Sequence, residues 1–211
     1  MLLEHLNKDT WVEWYSDRRV EPGVVTLAGI LKERGATRLL DFGCGTGRHV
    51  VYLSRLGFNV NAFDWSEASI EATKKELLKE GLEANLTIWD MNRTPLPYPD
   101  TYFDAVLAVR VFHHAFAEQV ERSASEIGRI TKQGGYLYVE VPTLGRLRSE
   151  RQKGVEFDEP EPGTFVPTGG DEVGVPHRFL RRDELTSLFR DFTPSRLDEA
   201  QDHLCLTAIR N

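Results

Sequence analysis

Three glycines at alternate positions, Gly43, Gly45 and Gly47 in the stretch LLDFGCGTGRH, follow an apolar run and an aspartate. Glycine inside a regular element costs roughly 0.5–1 kcal/mol relative to alanine, so this density marks a turn, or a place where another molecule must approach the backbone. A strand, a glycine turn and a helix opening near Thr46 form a geometry that sets a ligand against backbone N–H groups at a helix N-terminus. Asp64 lies 21 residues after Gly43, at the expected end of a second strand, where one carboxylate can accept both hydroxyls of a ribose. Asp41, two residues before Gly43, is placed to face an ammonium group. Asp90, at the expected end of a third strand, is placed to accept a hydrogen bond from an adenine amine. Each aspartate alone also reads as a strand-end cap; together they describe a nucleoside that carries an amino group.

Dinucleotide folds use G-x-G-x-x-G, whereas this chain has G-x-G-x-G. A ribose-binding aspartate suits NAD and S-adenosylmethionine equally. Asp41 favours the second, because NAD has no ammonium group for it to meet.

Proton-transfer candidates lie further on. His113 and His114 follow the fourth expected strand in RVFHHAF, and His177 with Arg178 stands in VPHRF. A histidine near neutral pH is a natural proton acceptor; the competing reading for each is a hydrogen-bonded structural imidazole. Arg178, Arg146 and Arg148 offer planar guanidinium forks for an anionic acceptor, or are simply solvated. Glu140 is either a base or the partner of a loop arginine. Trp14 and Tyr15 either close over a ligand, with a cation–π contribution, or pack on the sheet. No C-x-x-C or Cys/His cluster announces a metal, so none is expected, and Cys44 and Cys205 are expected to be reduced.

The elements that must position these residues alternate in type. Strands are expected over Thr37 to Phe42, Asn59 to Phe63, Leu86 to Trp89, Phe103 to Val109 and Tyr136 to Val141. Helices are expected over Val24 to Glu33, Arg48 to Leu56, Ser66 to Glu80 and Ala117 to Ile130. Gly81 stops one helix, and the Gly134-Gly135 pair marks the end of another. A helix near Asp183 to Phe189 and strands near Ser195 to Leu197 and His203 to Ile209 complete the pattern. Between Pro142 and Phe179 there are five prolines and six glycines without sustained periodicity. Loops of that length are uncommon unless they work as lids, so a cap over the ligand site is expected, with a small hairpin around EPGTFVP.

In order and spacing, DFGCGTGRH, NVNAFDWSEASI, WDMNRTPLPYPDTYFDAVLAV and KQGGYLYVEV resemble the successive motifs of class I S-adenosylmethionine-dependent methyltransferases, over Leu39 to Val141. The resemblance implies an α/β, Rossmann-like, seven-stranded and mostly parallel sheet with helices on both faces and an antiparallel last strand. It implies that Gly43, Gly45 and Gly47 line the methionine part of the cofactor, that Asp41 meets its ammonium and that Asp64 holds its ribose. Trp65 would flank the adenine, Asp90 and Met91 would meet its polar edge, and Tyr15 and Val109 join the cofactor contacts. Gln133 stands where the family often has proline. Arg110 stands where small or amide residues are usual, which makes it a candidate to reach the acceptor. GCGTGRHVVYLSRLGFNVNAFDWSEASI and HRFLRRDELTSLFRDF look most like the tellurite-resistance branch and related small-molecule enzymes.

Length and composition agree with one domain: 211 residues, 40% apolar and 28% charged. The expected division is an N-terminal helical lid over 1–36, a cofactor-binding core over 37–141, a substrate cap over 142–180 and a C-terminal helix and hairpin over 181–211. The net charge of −7 argues against a broad grip on nucleic acid. Glu4 interrupts any early apolar run, and no run of 18 apolar residues exists, so neither a signal peptide nor a membrane span is expected and the expected location is the cytoplasm. The expected activity is methyl transfer to a small-molecule acceptor by in-line displacement. The alternatives are a methyltransferase acting on RNA or protein, an NAD enzyme, or a non-catalytic cofactor binder. Neither the acceptor atom nor the oligomeric state is legible in the sequence.

Overall fold

The chain is described by a computed structural model covering residues 19–170 and 172–211. Trp14 and Tyr15 lie outside the described residues.

Seven strands form one sheet. In chain order the elements that build and flank it are α1 (Pro22–Glu33), β1 (Arg38–Phe42), α2 (Arg48–Arg55), β2 (Asn59–Asp64), α3 (Glu67–Glu80), β3 (Asn85–Ile88), β4 (Phe103–Val109), α4 (Ala117–Ile130) and β5 (Thr131–Pro142). After β5 come α5 (Leu144–Gln152), β6 (Phe157–Glu161), β7 (Thr164–Pro167), β8 (His177–Arg178), α6 (Arg182–Leu188), β9 (Phe192–Ala200) and β10 (His203–Arg210). The order across the large sheet is β3-β2-β1-β4-β5-β10-β9. Pairing is parallel from β3 through β5, and β10 runs antiparallel to both neighbours, as expected.

Successive residues of a strand point to opposite faces, so a strand covered on both sides is apolar at nearly every position. β4 shows the consequence. Val106 and Ala108 join the cluster that packs under α4 and α6, whereas Ala105, Leu107 and Val109 join the cluster built with α1, α2 and α3. Phe103, at the start of β4, is fully buried and lies edge-on to Tyr98 and Tyr102, each at 5.0 Å between ring centroids. Phe103→Ala should lower unfolding stability by about 3–5 kcal/mol, the usual cost of truncating a fully buried phenylalanine. A urea midpoint that stays at the parent value would show that the cavity closes without cost.

Four expectations are corrected. The described part of the N-terminal segment is not a lid: Val24, Leu27, Ala28 and Leu31 of α1 are buried in the sheet core. The Gly134-Gly135 pair does not separate α4 from β5 but lies inside β5. The register slips there, Phe103 pairing with Thr131 and Ala105 with Tyr136, and a Cβ on Gly135 would stand 2.8 Å from the Lys132 carbonyl. β9 is longer than its sequence suggests. It is an exposed edge strand held by its backbone ladder to β10 and so needs no apolar alternation.

The fourth correction concerns the segment after β5. It contains a nine-residue helix, α5, that buries only Leu147, which leaves no stripe to read. The expected hairpin is present as β6 and β7, with β8 added to make a three-stranded sheet. Leu147, Phe165 and Phe179 form a small core of their own, so the cap is a folded layer.

Candidate functional site: a cofactor cleft beneath a folded cap

The glycine turn joins β1 to α2. Gly43, Gly45 and Gly47 all have positive φ, at 71°, 54° and 81°, which L side chains rarely adopt. What lies beyond each glycine differs. A Cβ on Gly43 would meet Val111 at 2.3 Å, one on Gly47 would meet Thr73 at 2.5 Å, and one on Gly45 would meet nothing within 4 Å among the described residues. Gly43 and Gly45 line the cleft, whereas Gly47 does not. Gly47 serves the packing of α2 against α3, and its expected place along the ligand is not where the structure puts it.

The backbone donors of the turn are also largely engaged. Cys44 N–H donates to the Phe63 carbonyl at 2.9 Å, Gly47 N–H to the Cys44 carbonyl at 3.0 Å, and Gly45 N–H to Asp64 Oδ2 at 2.9 Å. What the turn offers a ligand is therefore close approach to a bare backbone, more than free N–H groups.

Asp64 ends β2 and is buried. Its Oδ1 accepts from Ser66 N–H at 2.9 Å while Oδ2 holds the turn. Burial raises its pKa, opposed by the backbone bonds from Ser66, Gly45 and Trp65. Each carboxylate oxygen has a second lone pair, and Asp64 lines the cleft. Asp41 is 1% exposed, and its Oδ2 has no hydrogen-bond partner among the described residues. Burial pushes its pKa up to about 7, with Arg48 opposing and Asp64 reinforcing. It lies beside the cleft residues without lining the cleft itself. Trp65, Asp90, Met91 and Val109 do line it. So do Trp89, Val111, His49 and Val175, which sequence reading did not single out. His49 had a signal, its place in the first turn of the helix after the glycines; Val175 had none, because only the folding of the cap brings it there.

Arg110 follows β4 with φ 56°, a strained conformation for a non-glycine residue and one that recurs at functional sites. Its backbone N–H donates to the Glu140 carbonyl at 2.9 Å. Its guanidinium contacts Glu140 Oε1 at 2.5 Å and Glu21 Oε1 at 3.0 Å. Arg110 and His114 line both the cofactor cleft and a second cavity of about 580 Å³ beneath the cap. Glu140 is thus the partner of a loop arginine.

His113, His114 and His177 meet at the boundary of these spaces. The Arg178 N–H donates to the His113 carbonyl at 2.8 Å, which sets β8 beside the His113-His114 turn. Ring centroids lie 4.1 Å apart for His113 and His114 and 4.8 Å apart for His114 and His177. Burial pushes all three pKa values down, to about 4 for His177 and well below the ordinary range for the other two, so all three are neutral at physiological pH. Adjacent residues of a strand point opposite ways. Arg178 accordingly turns from the cavity to the Pro162 carbonyl and to Glu184 at 3.4 Å, and it is not part of the site. Arg146 does line the cap cavity, paired with Glu150 at 2.8 Å; Arg148 does not line it.

The sheet order, the glycine turn and a carboxylate closing β2 define a Rossmann-like fold with a cleft lined by the turn and by Asp64. Residues 40–139 match the family model described as a methyltransferase domain. The chain is 29% identical over 129 residues to the "Probable S-adenosyl-L-methionine-dependent methyltransferase TehB" of Haemophilus influenzae, covering 61% of this chain and 43% of that protein. It is 29% identical over 133 residues to 27-O-demethylrifamycin SV methyltransferase of Amycolatopsis mediterranei, covering 60% of this chain and 48% of that one. The chain thus spans less than half the length of these curated relatives. Among solved structures, PH0226 of Pyrococcus horikoshii superposes with a TM-score of 0.74 at 19% identity, covering 92% of this chain and 94% of that one. Over residues 40–139 the chain is similar to methyltransferase domains, and one of its curated relatives is named as S-adenosyl-L-methionine-dependent. No helix among the described residues is long and apolar enough to cross a membrane.

Proposed function

We propose that this chain binds S-adenosylmethionine in the cleft between Gly45 and Asp64 and transfers its methyl group to a small molecule held beneath the cap, in the cytoplasm. The observation that carries the reading is the meeting of the two spaces at Arg110 and His114. The residues suit such a cofactor: Asp41 has an orphaned buried oxygen for an ammonium, and Gly45 leaves open space where a side chain would intrude.

The bound sulfonium supplies the activation for an in-line displacement. The chain's tasks are then alignment and exclusion of water. The cap covers the carboxyl edge of the sheet and contributes Val175 to the cleft. His114, held neutral by burial, is a weak base, which suits an acceptor that is already nucleophilic or is activated by other means. The cap cavity has the size of a small-ligand site. Its two lining arginines, Arg110 and Arg146, are each paired with glutamates, so the site presents no continuous basic face for RNA. An anionic group on the acceptor would meet these same two arginines.

Calorimetry with S-adenosylhomocysteine and NAD tests the cofactor, and transfer of labelled methyl to small molecules, RNA and protein tests the acceptor class. Tight NAD binding, or label incorporated only into RNA or protein, would overturn the reading. A pH profile adds a second check. In the free protein Asp41 holds a proton below about pH 7, and a bound ammonium requires the carboxylate. The complex therefore carries fewer protons than the free protein, and affinity should rise by up to about tenfold per pH unit approaching pH 7 and then level off. Asp41→Asn should flatten this profile; a parent profile already flat would place Asp41 away from the ligand's amino group.

A further inference from the structure

We propose that His113, His114 and His177 form a binding site for one divalent transition-metal ion, most simply Zn²⁺, that holds and activates the methyl acceptor. The metal site stands on its own geometry; its role in activating an acceptor rests on the methyltransferase reading above.

One ring nitrogen from each of the three histidines lies within 4.8 Å of the others. Imidazole nitrogens around zinc sit about 2.0–2.1 Å from the ion, so small ring rotations bring three atoms so spaced onto one centre. Among the described residues, His113 Nδ1 and His177 Nε2 are buried without a hydrogen-bond partner, in side chains that are 4% and 7% exposed. Buried polar atoms are nearly always satisfied, so two orphaned ring nitrogens within one cluster of three imidazoles point to an ion or water held there. Three clustered imidazoles would repel one another if charged. Burial keeps them neutral, and the neutral ring is the form that coordinates a metal. Glu172 Oε2 stands 3.4 Å from His177 Nε2, so a carboxylate lies beside the cluster to offset the charge of the ion.

The location gives the ion its use. All three histidines line the cap cavity, and His114 also faces the cofactor cleft. Three protein nitrogens leave a coordination position open, and a catalytic zinc lowers the pKa of an oxygen it binds. An acceptor hydroxyl or thiol entering the cap cavity would lose its proton to solvent on coordination. The resulting oxygen or sulfur anion forms the new bond to the methyl carbon while the methyl–sulfonium bond breaks, and the cofactor sulfur keeps that electron pair. No protein base is required, which fits a site whose histidines are all weakly basic.

The spacing escaped the sequence because His177 comes from the cap and its two partners from the turn after β4. Neither segment alone carries a metal-ligand pattern.

The test begins with the full chain stripped by a chelator. Titrating Zn²⁺ while following heat should give one equivalent bound, and Co²⁺ should give visible d–d bands without a thiolate charge-transfer band, which sets Cys44 and Cys205 aside. His177→Ala and the bulk-preserving His177→Gln should each weaken zinc at least about a hundredfold. Both should still bind S-adenosylhomocysteine, because His177 does not line the cofactor cleft. Zinc bound equally by the parent and the His177 variants, no Co²⁺ bands, or bands with thiolate character would each overturn the proposal. Should the parent bind zinc at one equivalent but no S-adenosylhomocysteine, the metal site stands and the methyltransferase reading falls. Binding of the nucleoside without zinc gives the opposite result.

Discussion

A Gly45→Val chain is expected to fold and to lose S-adenosylhomocysteine binding by at least about a hundredfold, or roughly 2.8 kcal/mol at 1.4 kcal/mol per tenfold. Gly45 has φ 54°, so valine adds backbone strain of about 1–2 kcal/mol. Its Cβ would meet no atom within 4 Å, so no clash adds to that strain. In a chain of this size the melting temperature should fall by roughly 2–8 °C, leaving the fold intact at room temperature. The branched side chain would instead occupy the cleft that Gly45 lines. Gly47→Val separates the two effects. Its Cβ would press into Thr73 at 2.5 Å, so that variant should lose stability before it loses a ligand contact. Parent-like affinity in a folded Gly45→Val chain would show that the turn does not meet the cofactor.

Asp64→Ala should act nearly as strongly and by a different route. A carboxylate that accepts both ribose hydroxyls makes two charge-assisted hydrogen bonds, each worth roughly 1.5–3 kcal/mol, so the loss is about a hundredfold or more. The alanine variant also frees Gly45 N–H and Ser66 N–H, which Asp64 holds at 2.9 Å each, and so loosens the turn itself. Asp64→Asn, which keeps one carbonyl oxygen, should fall between parent and alanine. Titration calorimetry with S-adenosylhomocysteine gives the comparison. Equal affinity in all three would reduce Asp64 to a clamp between β2 and the turn.

Much of the site was legible because its signals are local. Gly43, Gly45 and Gly47 announced themselves through backbone conformation, and Asp64 through its position at the end of an apolar strand. The run Phe103 to Val109 reads as buried on both faces because it is apolar at every position but Asp104, and the structure divides its apolar residues between two clusters as that argument requires. The illegible parts share a different cause. α5 buries only Leu147, so its helix leaves no stripe, and β9 is held by backbone pairing that any side chains permit. Arg178 and His177 are neighbours of equal promise in the sequence, yet strand alternation turns one toward Glu184 and the other toward His114.

By itself, then, the amino-acid sequence determined the order of strands and helices, the bare turn between β1 and α2, and the carboxylates at the strand ends. Those features depend on the conformational preference of a few adjacent residues and on apolar periodicity, both of which act within one element. The tertiary structure alone decided that Gly45 faces open space while Gly47 packs on Thr73, that Arg110 bridges Glu21 and Glu140, and that three histidines from the β4 turn and the cap converge. Each of these outcomes depends on where a side chain points after distant segments have packed together, and that direction is set by long-range contacts no local pattern encodes.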